Sequence, residues 1–461
     1  MRAIHDPDRL LADGLAEIRA QFRIPASFPA PVLAAAEVAA QRAPNEHTDR
    51  TAVPFVTLDP ASSTDLDQAF AIEAAGSDLL LHYAIADVAW FVDDGDLLDQ
   101  EAWQRGETTY LPDGKAGLYP PVLAEGAASL LPDGPRAAVI FTTRVAPDGA
   151  VKLQGVERSL IRSRAKLAYE NVRDEDLPAD FIELARRITD AEDRRGAARV
   201  DPPEQEVEHN GDGKFTLRFR PLLPSETRNA AMSLASNLAV ADALQAAGTG
   251  LFRIMSEPSD FAVKRLRLTA QAFGLDWADA TPLAQFEKAL DPRDPRQAAF
   301  MLAVRRAGEG ASYMPFRPGV IPWHAAMAAT YAHATAPLRR LADRYVIRAA
   351  LAVTNGLPVP AVVSEAFARL PAVMDKAQAR SGQVERAVID LAETAMLSGR
   401  EGENFAAVIT DIGENGARFQ LCDLPVVART TAHDVVPGAA IRVRLDQADP
   451  IKRSLAFTRV T

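Results

Sequence analysis

Apolar positions in the first 50 residues recur three or four residues apart, which is the spacing of amphipathic helices. The apolar residues of the first predicted helix are Leu10, Leu11, Leu15, Ile18 and Phe22. The prolines of "IPASFPAPV" interrupt the pattern, because proline does not fit a helix interior. We therefore predict a helix, a break and a second helix over about residues 32–41, which together form an N-terminal helical segment over residues 1–50.

From residue 52 the pattern changes to short runs rich in β-branched and aromatic residues, which are typical of strands. The predicted strands are "AVPFVTL", "AFAIEA", "LLLHYAIADVAWFV", "AAVIFTTRV", "VKLQGVERSLI" and "KFTLRFR". Helical periodicity dominates from about residue 226 to 400. Residues 51–398 are therefore predicted to form one α+β domain.

The last 60 residues contain short strand candidates separated by turn residues. The candidates are "FAAVITDI", "GARFQL", "VVARTTA", "AAIRVRLDQAD" and "RSLAFTRV". Five short strands indicate a small OB-type barrel over residues 399–461, a fold that commonly binds single-stranded nucleic acid. A structural barrel without a ligand is the alternative, since Phe405, Phe419 and Phe457 suit a core equally well.

The composition is that of a soluble globular protein, with 48% hydrophobic and 25% charged residues among 461. No apolar run reaches the ~20 residues of a membrane span, and the N-terminus lacks a signal-peptide core. The single cysteine excludes an intramolecular disulfide, and together these features predict a cytoplasmic protein. Because the formal net charge is −11, any nucleic acid must meet basic residues gathered in a groove rather than the surface as a whole.

The stretch "FVTLDPASSTDLDQAF", residues 55–70, places Asp59, Asp65 and Asp67 in one loop between two predicted strands. Asp65 and Asp67 are two residues apart, so on an extended chain they point to the same side. At an effective dielectric of ~20, each close pair of carboxylates costs up to about 4 kcal/mol. The loop is therefore either a solvated acidic turn, in which the charges diverge, or the site of a hard cation such as Mg²⁺.

A second candidate site is "YAHATAPLRRLADRYVIRAAL", residues 331–351. We predict Thr335 as the N-cap of a helix and Pro337 within its first turn, which puts Arg339 and Arg340 in that turn. The free N–H groups and the positive dipole end of a helix N-terminus attract anions. Two guanidinium groups at this position would complete a forked phosphate site.

Further arginines follow this site at helical spacing. Arg344 and Arg348 lie one and two turns beyond it, which extends the prediction to a basic stripe. The alternative is a helix whose Arg340 pairs with Asp343 or Asp390 at the surface. A carboxylate loop and an anion-binding helix are what metal-assisted cleavage of a phosphodiester needs, because the ion activates water and the arginines stabilise the phosphoryl charge.

These two motifs and the blocks between them resemble the ribonuclease II/R (RNB-domain) family of 3′→5′ exoribonucleases. "DPASSTDLDQ" is similar to the family's D-x5-D-x-D-D, and "YAHATAPLRRLADRYVIRAAL" to its Y-x-H-x-T-S-P-I-R-R-x-x-D-x-x-x-H-R. The intervening blocks are "HYAIADVAWFV", "RGETTYLPD", "LYPPVLAEGAASL" and "AKLAYENV". The resemblance implies an RNB-type catalytic domain followed by an OB-type RNA-binding barrel, and an enzyme that releases nucleoside 5′-monophosphates from single-stranded RNA.

The resemblance also implies a metal site. Asp59, Asp65 and Asp67 match the acidic signature and would hold Mg²⁺, or Mn²⁺ in its place, together with the 3′-terminal scissile phosphate. Among them, Asp67 is the carboxylate that the family pattern marks as least dispensable for catalysis. Gln68 stands where the pattern has a fourth aspartate. Because its amide is neutral, Gln68 either ligates the metal weakly through its oxygen or reduces turnover.

Other residues match RNA contacts of the family. Tyr110, in "TTYLPD", would stack on the terminal base and set the smallest product, and Arg339, next to Arg340, would contact the phosphate nearest the cut. Phe252, in "GLFRIM", would clamp the last bases from the other side, with a core phenylalanine as the alternative. Asp390, in "VERAVIDLAE", is assigned as the counterpart of an acidic residue on a late helix of the family.

Two departures from the family pattern give rise to further expectations. Typical members carry two cold-shock domains ahead of the "IPASFPAPV"-like segment, where this sequence has about 20 residues, so we expect a shortened form with weaker affinity and lower processivity on long RNA. Gln68 opens an alternative to an enzyme, namely a catalytically impaired paralogue that binds RNA as a regulator. No feature of the sequence indicates a membrane or an obligate protein partner.

Overall fold

The computed structural model of the protein describes residues 3–5, 10–197, 204–209, 214–220, 222–291, 294–308, 310–413, 416–431 and 434–460. The α-helices in these ranges are α1 (Leu10–Gln21), α2 (Ala30–Ala40), α3 (Val88–Phe91), α4 (Leu97–Arg105), α5 (Phe181–Arg194), α6 (Pro224–Ala246), α7 (Asp260–Ala272), α8 (Leu283–Lys288), α9 (Pro295–Ala307), α10 (Leu341–Thr354) and α11 (Ala361–Leu397). The strands are β1 (Ala3–His5), β2 (Thr48–Asp49), β3 (Phe55–Asp59), β4 (Gln68–Ala75), β5 (Asp78–Ala86), β6 (Thr109–Leu111), β7 (Gly114–Ala116), β8 (Arg136–Val145), β9 (Val151–Ile161), β10 (Ser163–Ala168), β11 (Glu204–His209), β12 (Lys214–Arg220), β13 (Leu251–Ile254), β14 (Ser312–Pro315), β15 (Trp323–His324), β16 (Ala329–Thr330), β17 (Asn404–Gly413), β18 (Gly416–Leu421), β19 (Val427–Thr430), β20 (Ala440–Asp449) and β21 (Ser454–Val460).

A mixed sheet in the order β10–β3–β4–β5–β8–β9–β2 forms the centre of the chain. Neighbours from β3 to β9 pair antiparallel, whereas β10 lies parallel to β3 and β2 lies parallel to β9. Strand β3 is buried from Phe55 to Leu58, which reflects its continuous apolar sequence. The sheet confirms the predicted α+β class and leaves the acidic loop at the gap between β3 and β4.

The N-terminal helices pack onto this α+β body. Leu11, Leu15 and Ile18 of α1 share a small core with apolar residues of α11 and β12, and α2 joins the main core through Val32 and Ala36. Both predicted helices are therefore present, and the second begins two residues earlier than predicted. In the described part of the chain, no helix combines the length and the apolar character needed to cross a bilayer.

The C-terminal strands form a sheet in the order β19–β18–β17–β20–β21, which confirms the predicted five-stranded OB-type unit. Its core is separate from that of the main body. Phe405, Phe419 and Phe457 are all part of that core, with exposures of 8%, 0% and 6%. None of the three rings therefore offers a free face on which a base could stack.

One predicted strand differs in the structure. The run "LLLHYAIADVAWFV" ends as a strand at Ala86, and α3 occupies Val88–Phe91. The buried carboxylate of Asp87 lies 3.1 Å from Nε2 of His47 and 2.9 Å from Nε of Arg158. These contacts turn the chain at Asp87, and such partners are not visible in a local apolar pattern.

Glu393 links the late helix α11 to two other elements. Its Oε1 accepts hydrogen bonds from Nε2 of Gln205 on β11, at 2.6 Å, and from the N–H of Val427 on β19, at 2.8 Å. The side chain is almost fully buried, at 4% exposure. Burial raises the pKa of Glu393 to about 8, against the opposing effect of its two hydrogen-bond donors. Between about pH 4.3 and pH 8, Glu393 is therefore protonated in the native protein, whereas the same side chain in the unfolded protein, with a pKa of about 4.3, is ionised.

We predict that Glu393→Gln is more stable than the parent protein at pH 8 by about 2–4 kcal/mol, because glutamine keeps the acceptor oxygen and carries no buried charge. Since the native pKa is raised to about 8, stability of the parent falls as pH rises from about 4.5 to 8. Urea unfolding at pH 5, 6.5 and 8 measures this, and the two proteins should converge at pH 5. Equal stability of the two proteins at pH 8 would contradict the raised pKa of Glu393.

Candidate active site

The acidic loop joins β3 to β4 and is held by side chains around it. Ser129 pins its centre, since its hydroxyl donates to the carbonyl of Thr64 at 2.7 Å and accepts the N–H of Leu66 at 2.9 Å. Asp67 precedes β4 directly and is 5% exposed. A fully solvated acidic turn therefore does not describe this loop.

Two of the loop's carboxylates have perturbed acidity. Burial raises the pKa of Asp59 to about 6, and the charge of Asp65 adds to this while Arg339 and Lys166 oppose it. Burial raises the pKa of Asp67 to about 8, against the opposing effects of Arg339 and the N–H of Leu338. Both carboxylates thus lie where the neighbouring cations only partly compensate the cost of burying a charge. Such groups are candidates for a functional site.

Asp65 is already paired with the hairpin formed by β6 and β7. Nζ of Lys115 lies 2.7 Å from its Oδ1, and the hydroxyl of Tyr110 donates to Oδ2 at 3.4 Å. Lys115 also lies 3.2 Å from Oε1 of Glu125, which in turn accepts from Thr64. Tyr110 is 53% exposed, so its ring keeps a free face above the acidic loop.

The arginine motif adopts a turn where we predicted the first turn of a helix. α10 begins at Leu341, and the hydroxyl of Thr335 contacts Ser233 at 2.9 Å, so Thr335 is not the N-cap. Arg340, the residue before α10, has an extended backbone and forms an isolated β-bridge with Glu107, so the helix does not begin earlier. In the preceding turn, the N–H of Leu338 donates to Oδ1 of Asp67 at 2.7 Å. As a result Arg339 faces the acidic loop, with its Nε 3.5 Å from Oδ2 of Asp67.

The predicted basic stripe is wrong, because each of the following arginines is paired with an acid. Arg340 contacts Asp343 through two hydrogen bonds of 2.9 and 2.8 Å. This is the alternative pairing considered above, although Asp343 is fully buried rather than at the surface. Arg344 is buried against Asp99, and Arg348 pairs with Asp94 at 2.6 Å. Arg339, with 46% of its side chain exposed, remains available to a ligand.

Phe252 is misplaced in the prediction. It lies in β13, opposite Met314 of β14, and its exposure is 0%. The ring belongs to the main core, so it has no surface to offer a base in this structure. The core alternative is the correct one.

The acid assigned on the late helix also needs correction. Asp390 lies near the charges of Arg386, Arg418 and Arg453 and does not line the cavity that Arg339 borders. Glu385 is the α11 acid that borders the cavity above Arg339. The two positions are five residues apart, which is about 140° around a helix, so a small misalignment selects the wrong face.

A slot of about 660 Å³ leads to the site. It runs between the β6–β7 hairpin, β11, β12 and α11, and Tyr110, Arg339 and Arg340 border it together with Glu107 and Glu385. A second cavity of about 260 Å³ lies on the other side of Arg339 and includes Gln68. Arg339 thus stands where the two cavities meet.

Gln68 and Lys115 have contacts that sequence reasoning did not assign. Nε2 of Gln68 donates to the carbonyl of Thr335 at 2.5 Å, and Oε1 accepts from the hydroxyl of Tyr83 at 2.6 Å. Lys115 could have been found, since the Pro-Asp-Gly turn after Tyr110 predicts a hairpin that places Lys115 opposite it. Tyr83 lies on β5, the strand that pairs with β4, whereas Thr335 is 267 residues away in the chain and gives no local signal.

Asp59, Asp65 and Asp67 are side chains of the type that binds a divalent cation, but they are not arranged as a set of metal ligands. Buried carboxylate oxygens that repel one another are suitable ligands for a hard ion. Among the residues that the structure describes, however, no three His, Cys, Asp or Glu side chains are set together as a metal site. In this loop, Asp65 contacts Lys115 at 2.7 Å.

Comparison with protein families identifies both parts of the chain. The RNB domain model matches residues 47–355, and the model of the RNase II-type exonuclease C-terminal S1 domain matches residues 403–460. Ribonuclease R of Aquifex aeolicus is 28% identical over 431 residues, which cover 85% of this chain and 59% of that protein. The chain spans between 53% and 62% of the length of the curated relatives it matches.

Solved structures share the fold at low identity. Mycoplasma genitalium RNase R in complex with ribose methylated single-stranded RNA has a TM-score of 0.86 and 18% identity, over 100% of this chain and 79% of that chain. Yeast Ssd1, described as a pseudonuclease, has a TM-score of 0.66 and 18% identity, over 98% of this chain and 58% of that chain. The fold therefore occurs in an RNA-bound ribonuclease and in a protein described as a pseudonuclease.

We predict that Asp343→Asn destabilises the protein by about 2–4 kcal/mol, because it removes the fully buried partner of Arg340, whose side chain is only 18% exposed. The matched control is Asp94→Asn, which removes the same charge from the partly exposed pair with Arg348 and should cost less than about 1 kcal/mol. Urea unfolding at neutral pH compares the two. A similar loss of stability in both variants would show that the Arg340–Asp343 pair stabilises the protein no more than the partly exposed pair of Arg348 and Asp94.

Proposed function

The chain belongs to the RNB-domain family of ribonucleases II and R, and from that premise we propose that it is a metal-dependent 3′→5′ exoribonuclease acting on single-stranded RNA. Its products would be nucleoside 5′-monophosphates. The observation that supports this most strongly is the approach of Arg339 to Asp67, at 3.5 Å, where the slot meets the acidic loop. A carboxylate and a guanidinium at one end of a slot are suited to a phosphodiester at the end of a strand.

In this proposal the scissile phosphate binds against Arg339. The guanidinium donates hydrogen bonds to the phosphoryl oxygens, whose negative charge grows in the transition state. Asp59, Asp65 and Asp67 would hold the divalent cation, which supplies Lewis acidity and lowers the pKa of water. The N–H of Leu338 orients Asp67, and pairing with Asp343 keeps Arg340 from competing for that carboxylate.

Tyr110 would stack on the 3′-terminal base. Its ring is half exposed at the mouth of the acidic loop, and its hydroxyl is oriented by Asp65. Stacking on an aromatic ring contributes about 1–3 kcal/mol per base and tolerates any sequence, which suits an enzyme that degrades RNA of any sequence. The C-terminal S1 domain would contribute polar contacts to the strand, since its phenylalanines lie in its core.

The proposed division of labour follows the segments predicted from sequence. Residues 1–50 would support the catalytic body, residues 51–398 would carry the chemistry and residues 399–461 would bind RNA. We also propose a cytoplasmic location, consistent with a single cysteine that forms no disulfide.

A second candidate function is an RNA-binding regulator without turnover. Two observations favour it: the fold is shared with a protein described as a pseudonuclease, and Gln68 supplies no carboxylate next to Asp67. The two functions predict the same RNA affinity and differ in the appearance of products.

We expect 5′-labelled single-stranded RNA to shorten from its 3′ end in Mg²⁺ or Mn²⁺ and to stay intact in EDTA. Asp67→Asn should lower the rate at least about a hundredfold, since several kcal/mol of charge stabilisation depend on this carboxylate. The matched control is Asp78→Asn, which alters a carboxylate paired with Arg144 at 2.8 Å on β5 and should leave the ladder unchanged. Mass spectrometry identifies the released nucleotide.

Tight RNA binding with no ladder in either metal would favour the regulator. Cleavage that appears only in Gln68→Asp would favour it more strongly, because restoring the carboxylate would then restore the chemistry.

A further inference from the structure

We infer that Gln68 is a positioning residue for Arg339: its amide clamps the turn that carries the arginine, and it is not a weakened metal ligand. The inference rests on the proposed function, because the role of Arg339 belongs to that proposal. This role would explain in structural terms why a glutamine stands where the family pattern has its fourth aspartate.

The orientation of the Gln68 amide is determined by its two partners. A backbone carbonyl can only accept a hydrogen bond, so the nitrogen of the amide must face Thr335, 2.5 Å away. The oxygen then faces the hydroxyl of Tyr83, at 2.6 Å. Tyr83 and Thr335 are buried, at 0% and 1% exposure, so neither partner can turn to water instead.

Gln68 and its neighbour Asp67 hold the same turn at two points. Gln68 supplies a donor to the carbonyl of Thr335, and Asp67 supplies an acceptor to the N–H of Leu338 at 2.7 Å. Arg339 follows directly, and its own carbonyl accepts the N–H of Thr108 at 3.0 Å. The arginine is thus placed by the acidic loop on one side and by the segment leading to Tyr110 on the other.

An aspartate at position 68 cannot make these contacts. Its side chain is one carbon shorter than that of glutamine and has no N–H, so the carbonyl of Thr335 would lose its donor in the interior. A negative oxygen would also face a carbonyl oxygen and lie beside Asp67, which is itself 5% exposed. An amide at this position therefore makes the contact with Thr335, and an ionised carboxylate loses it.

The test compares Gln68→Met, which keeps the length and removes both hydrogen bonds, with the parent protein. RNA affinity is measured in EDTA by fluorescence anisotropy with a 3′-unmodified oligonucleotide, and Mn²⁺ affinity is measured without RNA by electron paramagnetic resonance. The clamp predicts that RNA affinity falls about tenfold or more while Mn²⁺ affinity stays within about twofold. A loss of Mn²⁺ affinity with unchanged RNA affinity would overturn it in favour of a metal ligand.

A double-mutant cycle separates positioning from a general weakening of the fold. If Gln68 acts through Arg339, Gln68→Met has no further effect on RNA affinity in an Arg339→Ala background. An additive loss in the double variant would contradict the clamp. Thermal unfolding checks that each variant is folded, and Gln68→Leu, which is also neutral and lacks both hydrogen bonds, replaces Gln68→Met if that variant is not.

Gln68→Asp tests the same point in the cleavage assay. The clamp predicts that this variant is no more active than the parent protein and needs no less Mg²⁺ for half-maximal rate. Higher activity at lower Mg²⁺ would overturn the inference. A parent protein that neither binds nor cleaves RNA would instead refute the proposed function, and the inference with it.

Discussion

The buried carboxylate of Asp67 is the feature on which the arrangement of the site depends. One oxygen accepts the N–H of Leu338, 271 residues away in the chain, and the other faces the guanidinium of Arg339. A carboxylate is costly in a protein interior unless it is paired and hydrogen-bonded. The acidic loop and the arginine turn therefore stabilise each other only in contact, and that contact brings opposite charges to one end of the slot.

Local sequence patterns were sufficient to predict the strands next to this contact and those of the C-terminal domain. The continuous apolar run before Asp59 predicted a buried strand, and the five short runs after residue 404 predicted the C-terminal strands because alternation and turn residues are signals within a few positions. The loop between β3 and β4 follows from those strands. The identity of the three aspartates in it could be read directly from the sequence.

Long-range pairing explains where sequence reasoning failed. Thr335 and Pro337 look like a helix start, but Arg340 is extended and pairs with Glu107 from a distant segment, so the helix begins at Leu341. The partners of Arg344 and Arg348 come from segments 245 and 254 residues away. No local signal distinguishes a guanidinium that will be neutralised in this way from one that stays available, as Arg339 does.

Under the proposed function, the same pairing bears on how an acidic protein would bind an anionic strand. The formal net charge is −11, and Arg340 and the arginines of α10 are paired with acids. Among the described residues of the acidic loop, the β6–β7 hairpin and the arginine turn, a strand would therefore meet the half-exposed guanidinium of Arg339 and the exposed ring of Tyr110. At the 3′ end, affinity would then depend on a few well-placed contacts rather than on a basic stripe along α10.

The most direct test of this account is a crystal structure of the protein with Mn²⁺ and an oligonucleotide whose terminal linkage resists cleavage, with anomalous scattering used to locate the ion. The account predicts a manganese peak in contact with Asp59 and Asp67, and the terminal phosphate hydrogen-bonded to Arg339. A phosphate bound elsewhere in the slot, or a fully occupied 3′ end with no ion at these carboxylates, would contradict it.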